Sequence, residues 1–127
     1  MRIFLNKPFQ RFARKEGITD AELCEAVARA ERGLIDADLG GNVIKQRLAR
    51  PGQDRSGGFR SIILYRRGER SFFVYGYPKN ERDNITDEEL EAFRDLAKLM
   101  LGYTDEELDE AVANEKLREV ERDDENV

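Results

Sequence analysis

The 127-residue chain contains no histidine and a single cysteine. The absence of histidine removes the usual acid-base side chain at neutral pH, the Ser-His and Cys-His nucleophile systems, and the commonest zinc ligand. One cysteine, Cys24, permits neither an internal disulfide nor a cysteine-based metal cluster, and we expect it to be a small buried residue on a helix. Any catalysis must therefore rely on lysine, arginine, tyrosine or carboxylate side chains.

Long apolar runs are also missing from the sequence. No run approaches the roughly 20 residues needed to span a bilayer, and the N-terminus lacks the apolar core of a signal peptide. Charged residues make up 39% of the chain and the mean hydropathy is −0.72. We therefore expect a cytosolic protein that has no membrane partner and is built around one modest core.

Charge is divided unevenly along the chain. Residues 42–82 hold ten bases and three acids, a net charge of +7, whereas residues 83–127 hold five bases and seventeen acids, a net charge of −12. Residues 1–41 hold seven of each, which recovers the overall charge of −5. Because the basic segment contains so few acids, we expect its cations to lack intramolecular partners and to attract phosphates. The acidic C-terminal region could also fold toward this segment and restrain it.

The basic segment has the pattern of three consecutive strands, VIKQRLA, GGFRSIILYRR and RSFFVYGYPKN. Because side chains alternate along a strand, Lys45 and Arg47 should share one face of the first strand. In the third strand, the same alternation predicts that Val74 faces away from Tyr75 and Tyr77. The sequence therefore predicts an antiparallel meander with cations on one of its faces.

Helical signals flank this meander, and three capping boxes mark helix starts at Thr19, Thr86 and Thr104. The other predicted elements are a strand over residues 2–5, a helix over 7–15, a loop over 38–41 and a polar tail from 119. The fold class is α+β, with a small antiparallel sheet, made of the meander and the N-terminal strand, packed on two N-terminal helices and followed by C-terminal helices. We expect residues 1–102 to form the main domain and residues 103–127 to be a helical extension of it.

The cations that favour chemistry lie near the ends of the three strands: Lys45, Arg47, Arg60, Lys79 and Arg82. A solvated charged face is the plain interpretation, but Arg60 lies within an apolar strand, where a long cation needs an anionic partner or water. An arginine fork can hold a phosphate and stabilise a pentacoordinate transition state. Neighbouring cations disfavour the protonated form of a lysine, so Lys45 is suited to act as a base.

The string NVIKQRLARPGQDRSGGFRSIILYRRGERSFFVYGYPKNERDNIT resembles the RelE/HigB superfamily of toxins from bacterial type II toxin-antitoxin systems. It is similar to the branch marked by DADLGG, IKxR, GGFR and YPKNER, and the resemblance extends from Ile3 to Val120. It implies a RelE-like fold and a metal-independent endoribonuclease, an mRNA interferase that commonly acts in the ribosomal A site. It also implies neutralisation by a cognate antitoxin protein, with mRNA as substrate and no cofactor.

The resemblance also implies roles for particular residues. Lys45 matches a general base, Arg47 and Arg60 match groups that stabilise the scissile phosphate, and Lys79 or Arg82 is nearest to the general acid. The remaining residues expected to contact RNA are Arg50, Arg55, Tyr75, Tyr77 and Asn80. Each tyrosine could stack a base or belong to the core, and the chain departs from some relatives at Asn80 and Thr86.

Two other functions fit parts of the sequence. A ParE-like toxin of the same fold inhibits DNA gyrase and would use the sheet only as a scaffold. A non-catalytic module that binds RNA or the ribosome would use the cations for affinity alone. Clustering of Lys45, Arg47 and Arg60 argues against the gyrase inhibitor. For the RNA-binding module, Arg60→Ala should lower affinity and activity together, whereas the nuclease should largely keep binding and lose cleavage.

Overall fold

The structure of the protein is a computed structural model that describes residues 1–48 and 58–121. In chain order its elements are β1 (Arg2–Asn6), α1 (Lys7–Glu16), α2 (Asp20–Glu31), β2 (Ala37–Gly40), β3 (Val43–Leu48), β4 (Phe59–Arg66), β5 (Arg70–Pro78), α3 (Asp87–Met100), α4 (Asp105–Ala113) and β6 (Leu117–Glu119). They build one six-stranded sheet in the order β2-β3-β4-β5-β1-β6. The predicted α+β class is confirmed.

The sheet is larger than predicted and is mixed rather than antiparallel. The meander β3-β4-β5 is antiparallel as expected, but β1 pairs with β5 in parallel. Strand β2 occupies the stretch predicted as a loop, where Gly40 adopts a left-handed φ of 82° and the register with β3 shifts. Two glycines and an aspartate are typical of a turn, so the sequence did not reveal this short edge strand.

The two N-terminal helices cover one face of the sheet. Phe9 of α1 and Leu23 of α2 are fully buried against Ile44, Ile63 and Phe73. The capping box predicted at Thr19 is present, and helix α1 ends at a left-handed glycine. Cys24 of α2 is only half-buried, so its predicted burial holds in part. The main core lies between these two helices and this face of the sheet.

Helix α3 and helix α4 cover part of the opposite face. Both begin at the capping boxes predicted from the sequence. They enclose a second core around Phe4, Val43, Ile62, Leu64 and Phe72. Helix α3 contacts β3 and β4, so the apolar part of this face is closed to water.

A β-bulge in β5 changes which face its residues occupy. Ile62 pairs with Tyr75, but Ile63 pairs with Phe73, so Val74 is an extra residue on β5. The predicted strict alternation is therefore wrong beyond this point, because a bulge adds one residue and shifts the facing pattern. As a result, Tyr75 and Tyr77 lie on the α3 side of the sheet instead of the α1 side.

The segment after residue 102 is tied into the central sheet. Strand β6 pairs antiparallel with β1, and the Val120 amide donates to the Ile3 carbonyl at 2.8 Å. Arg2 binds Glu119 through two side-chain hydrogen bonds of 2.9 and 2.8 Å. The predicted polar tail therefore begins later than residue 119. Across residues 1–48 and 58–121, no helix has the length and apolar character to cross a bilayer.

Candidate functional site

Three predicted site residues lie together on the α3 side of the sheet. Arg47 of β3 pairs directly with Arg60 of β4, and Lys45 pairs with Ile62, two residues along. Residues opposite each other on antiparallel strands share a face, and diagonal neighbours are about 7–8 Å apart. Lys45 is therefore within side-chain reach of the space in front of Arg60, and the predicted facing of Lys45 and Arg47 is confirmed.

Arg60 lies where the second core ends. Its strand neighbours Ile62 and Leu64 are fully buried, whereas Arg60 is half-buried and Arg47 is exposed. Among residues 1–48 and 58–121, its Nη1 is the only buried side-chain nitrogen or oxygen atom without a hydrogen-bond partner. A buried donor left unsatisfied costs about 1–3 kcal/mol. The guanidinium therefore carries a charge that no described carboxylate neutralises.

Lys45 has a neutral partner. Its Nζ donates to the side-chain Oδ1 of Asn84 at 2.8 Å. Asn84 lies in the connection between β5 and α3, where neither helical nor strand periodicity applies, so sequence reasoning missed it. The amide orients the lysine without placing a negative charge beside it.

Arg47 differs from Lys45 because it has a carboxylate partner. Its guanidinium lies 3.1 Å from Asp36, and its backbone amide donates to the same carboxylate at 2.7 Å. Burial by itself would raise the pKa of Asp36, but these two contacts with Arg47 and the charge of Arg29, 3.4 Å away, outweigh it and lower the pKa. The expectation that the cations lack partners is therefore wrong for Arg47, because β2 pairing brings in an acid from outside the basic segment.

Arg82 is likewise held by a carboxylate. Its two terminal nitrogens donate to Glu89 of α3 at 3.2 and 2.7 Å, and Nη1 also donates to the Tyr75 hydroxyl at 3.0 Å. The guanidinium carbon lies 5.8 and 5.7 Å from the ring centres of Tyr75 and Tyr77. The hydrogen bonds that Arg82 donates to Glu89 raise the pKa of Arg82 and lower the pKa of Glu89 to about 2. This contact joins the acidic C-terminal region to the basic segment.

The Arg82–Glu89 pair predicts a dependence of stability on pH. The pKa of Glu89 in the folded chain lies below its ordinary value of 4.5, so its stabilising contribution is present above that pH and is lost as the pH falls through about 2. We expect Glu89→Gln to lower the thermal unfolding midpoint at pH 7, and the difference from the parent chain to disappear as the pH falls below about 2.

Glu91→Gln is the matched control for that comparison, because Glu91 lies in the same helix and pairs only with Arg94 in the described chain. An exposed pair of this kind contributes about 0–1 kcal/mol. Equal midpoints for the parent and Glu89→Gln across the whole pH range would contradict the assigned pair.

The two tyrosines predicted to contact RNA differ in exposure. Tyr77 is 3% exposed, its hydroxyl donates to the Asp83 carbonyl at 3.4 Å, and its burial raises its pKa. A base could not stack on this ring without displacing its neighbours, so the core interpretation fits Tyr77. Tyr75 is half-buried and packs on Phe93.

Two further predicted residues, Lys79 and Asn80, lie just beyond the end of β5. Lys79 and Asn80 are exposed in the turn after β5, and the Lys79 amide donates to the Gly58 carbonyl at 3.2 Å. That bond places the turn beside the start of β4, two residues from Arg60. Arg50 and Arg55 lie outside the described residues. Within the described ranges, no group of three or more histidine, cysteine or acidic residues is placed to hold a metal ion.

The protein is a small α+β domain whose sheet presents Lys45, Arg47 and Arg60 beside the end of its second core. Residues 1–120 match the sequence model of a family described as the RelE toxin of the RelE/RelB toxin-antitoxin system. The chain therefore belongs to the RelE toxin family, which confirms the resemblance noted in the sequence. None of the curated proteins compared with the chain matches it. As a RelE-family toxin, it is one half of a toxin-antitoxin pair whose partner is a RelB-type antitoxin.

Proposed function

We propose that this toxin is an mRNA interferase that cleaves RNA through attack of a 2′-hydroxyl on the adjacent phosphate. The observation that carries the proposal is the strand register, which sets Lys45 diagonally across from Arg60 on one face of the sheet. A lysine held by a neutral amide and an arginine without a described carboxylate partner are the two kinds of group that this reaction requires.

In the proposed reaction, Lys45 accepts the proton of the 2′-hydroxyl, and the resulting oxyanion attacks phosphorus in line. Arg60 and Arg47 donate hydrogen bonds to the non-bridging oxygens as negative charge builds on the phosphorane. The bond to the 5′ oxygen then breaks, and that oxygen takes a proton. The products are a 2′,3′-cyclic phosphate and a 5′-hydroxyl.

Lys79 is our proposed donor of that proton, with Arg82 as the alternative. Arg82 is engaged by Glu89 and Tyr75, and these contacts favour its charged form. A lysine in an exposed turn next to β4 releases a proton more readily than a guanidinium. We further propose that Tyr75, Asn80, Arg50 and Arg55 contact the RNA on either side of the cleaved linkage.

A purified translation system tests the proposal. We expect the toxin to cut messenger RNA that is being translated, and the RelB-type antitoxin encoded beside it to prevent the cutting. Parallel reactions with free message show whether the ribosome is needed. Intact message together with blocked DNA supercoiling would overturn the proposal in favour of gyrase inhibition.

A further inference from the structure

We propose that Asn84 is a positioning residue for the lysine base Lys45, and that the connection between β5 and α3, residues 79–86, holds Asn84 against Lys45. This inference rests on the proposed function for its catalytic meaning. The contact itself does not depend on that function: Lys45 Nζ donates to Asn84 Oδ1 at 2.8 Å. Within the described chain, this is the one polar contact of the Lys45 ammonium.

Asn84 is itself held by Arg82. The Nε atom of Arg82 donates to the backbone carbonyl of Asn84 at 3.1 Å, while the other two guanidinium nitrogens bind Glu89. Glu89 also accepts the Thr86 amide at 2.7 Å as part of the capping box of α3. A continuous series of hydrogen bonds therefore runs from the first turn of α3 through Arg82 and Asn84 to Lys45.

This series gives Arg82 a structural task. Its guanidinium is planar, and three of its nitrogens bind three different groups: a carboxylate, a phenol and a backbone carbonyl. A guanidinium bound in this way fixes the connection between β5 and α3 over the sheet. The proposal therefore makes Arg82 a residue that acts through Asn84, and leaves proton donation to Lys79.

An amide suits this position better than a carboxylate does. A neutral oxygen orients the lysine by accepting a hydrogen bond from its Nζ, but it adds no negative charge that would favour the charged form of the side chain. The other charged or titratable groups on or beside this part of the sheet are Asp36, Arg47, Arg60, Tyr75, Tyr77, Lys79, Arg82, Asp83, Glu89 and Arg94. Asp36 pairs with both Arg47 and Arg29, and Glu89 pairs with Arg82, whereas no described carboxylate pairs with Arg60.

The test is an NMR titration of the Lys45 side chain in the full-length protein. The Lys45 signal is identified by its loss in Lys45→Arg. Asn84→Asp places a carboxylate against the ammonium and should move the titration midpoint upward by about one pH unit or more. Asn114→Asp is the matched control: it makes the same change at the end of α4 and should leave the midpoint in place.

Cleavage kinetics provide the second readout. Asn84→Asp should lower the cleavage rate at neutral pH. The rate of this variant should then rise toward the parent rate as the pH increases. Asn84→Ala should lower the rate by up to about 100-fold at every pH, because the amine loses its orientation rather than its basicity. A merely structural role for Asn84 would not displace the pH profile.

The two readouts, the Lys45 midpoint and the cleavage rate, separate the inference from the proposed function. An unchanged Lys45 midpoint in Asn84→Asp overturns the inference, even if Lys45→Ala abolishes cleavage and the nuclease assignment stands. A shifted Lys45 midpoint in a protein that cleaves no RNA supports the contact of Asn84 with Lys45 and overturns the nuclease assignment. A shifted midpoint together with a displaced pH profile supports both.

Discussion

Replacing Arg60 with alanine is expected to lower the single-turnover rate of RNA cleavage by about 100- to 1,000-fold, the usual effect of removing one donor to the transition state. RNA affinity should largely survive, because Arg60 is one of several cations in the segment. Lys45→Ala should cost about 100- to 10,000-fold in the same assay, since it removes the acid-base group. Rate and affinity are measured separately on one labelled RNA.

Arg66→Ala is the control for this experiment. Arg66 lies on the same strand as Arg60 but at its other end, where it is exposed and donates to the Leu101 carbonyl. Arg66→Ala removes the same charge as Arg60→Ala and should leave cleavage intact. If Arg60→Ala instead lowers affinity and activity together and reduces the salt slope by about 0.7, a plain RNA-binding module explains the chain better.

Truncation after Gly102 should abolish stable folding at 37 °C. The cut removes Leu108, Leu117 and Val120, which are 0%, 6% and 5% exposed, and their burial stabilises the fold by on the order of 5–9 kcal/mol. A domain of this size has a total stability of about 5–15 kcal/mol. The lost residues also cover Phe4 and Phe72 of the second core. Circular dichroism and thermal unfolding measure the effect.

A chain ending at Glu121 is the control for the truncation. It keeps α4 and β6 and should unfold at nearly the same temperature as the full chain. A stable, cooperatively folded protein ending at Gly102 would show that residues 103–121 are an accessory to the domain instead of part of it.

Local patterns in the sequence predicted the fold well in elements whose apolar residues recur at one helical or strand spacing. The helix starts at Thr19, Thr86 and Thr104 followed from side chains that satisfy free amides at a helix start, which is a short-range effect. The shared face of Lys45 and Arg47 followed from the pleat of a strand. The edge strands β2 and β6 have four and three residues. They are too short to show the alternation of apolar and polar residues that marks a strand.

The site was harder to predict because its details depend on tertiary contacts. The partners of Arg47 and Arg82 are acids outside the basic segment, Asp36 and Glu89, and the pairing of β2 and the packing of α3 bring them near. The contact of Asn84 with Lys45 spans 39 residues and lies in irregular chain. The bulge at Val74 lies two residues before Gly76, and a glycine within a strand signals either a bulge or a close backbone approach, so the sequence did not locate the bulge.

The chemistry of the cut ends distinguishes attack by the RNA 2′-hydroxyl from attack by water. The toxin is incubated with a translated message in which one cleaved nucleotide carries a 2′-hydrogen in place of the 2′-hydroxyl, and the fragments are analysed by mass spectrometry. We expect 2′,3′-cyclic phosphate and 5′-hydroxyl ends at every unsubstituted cleavage site and no cut at the substituted one. Fragments with 5′-phosphate ends, or cutting at the 2′-deoxy position, would contradict it.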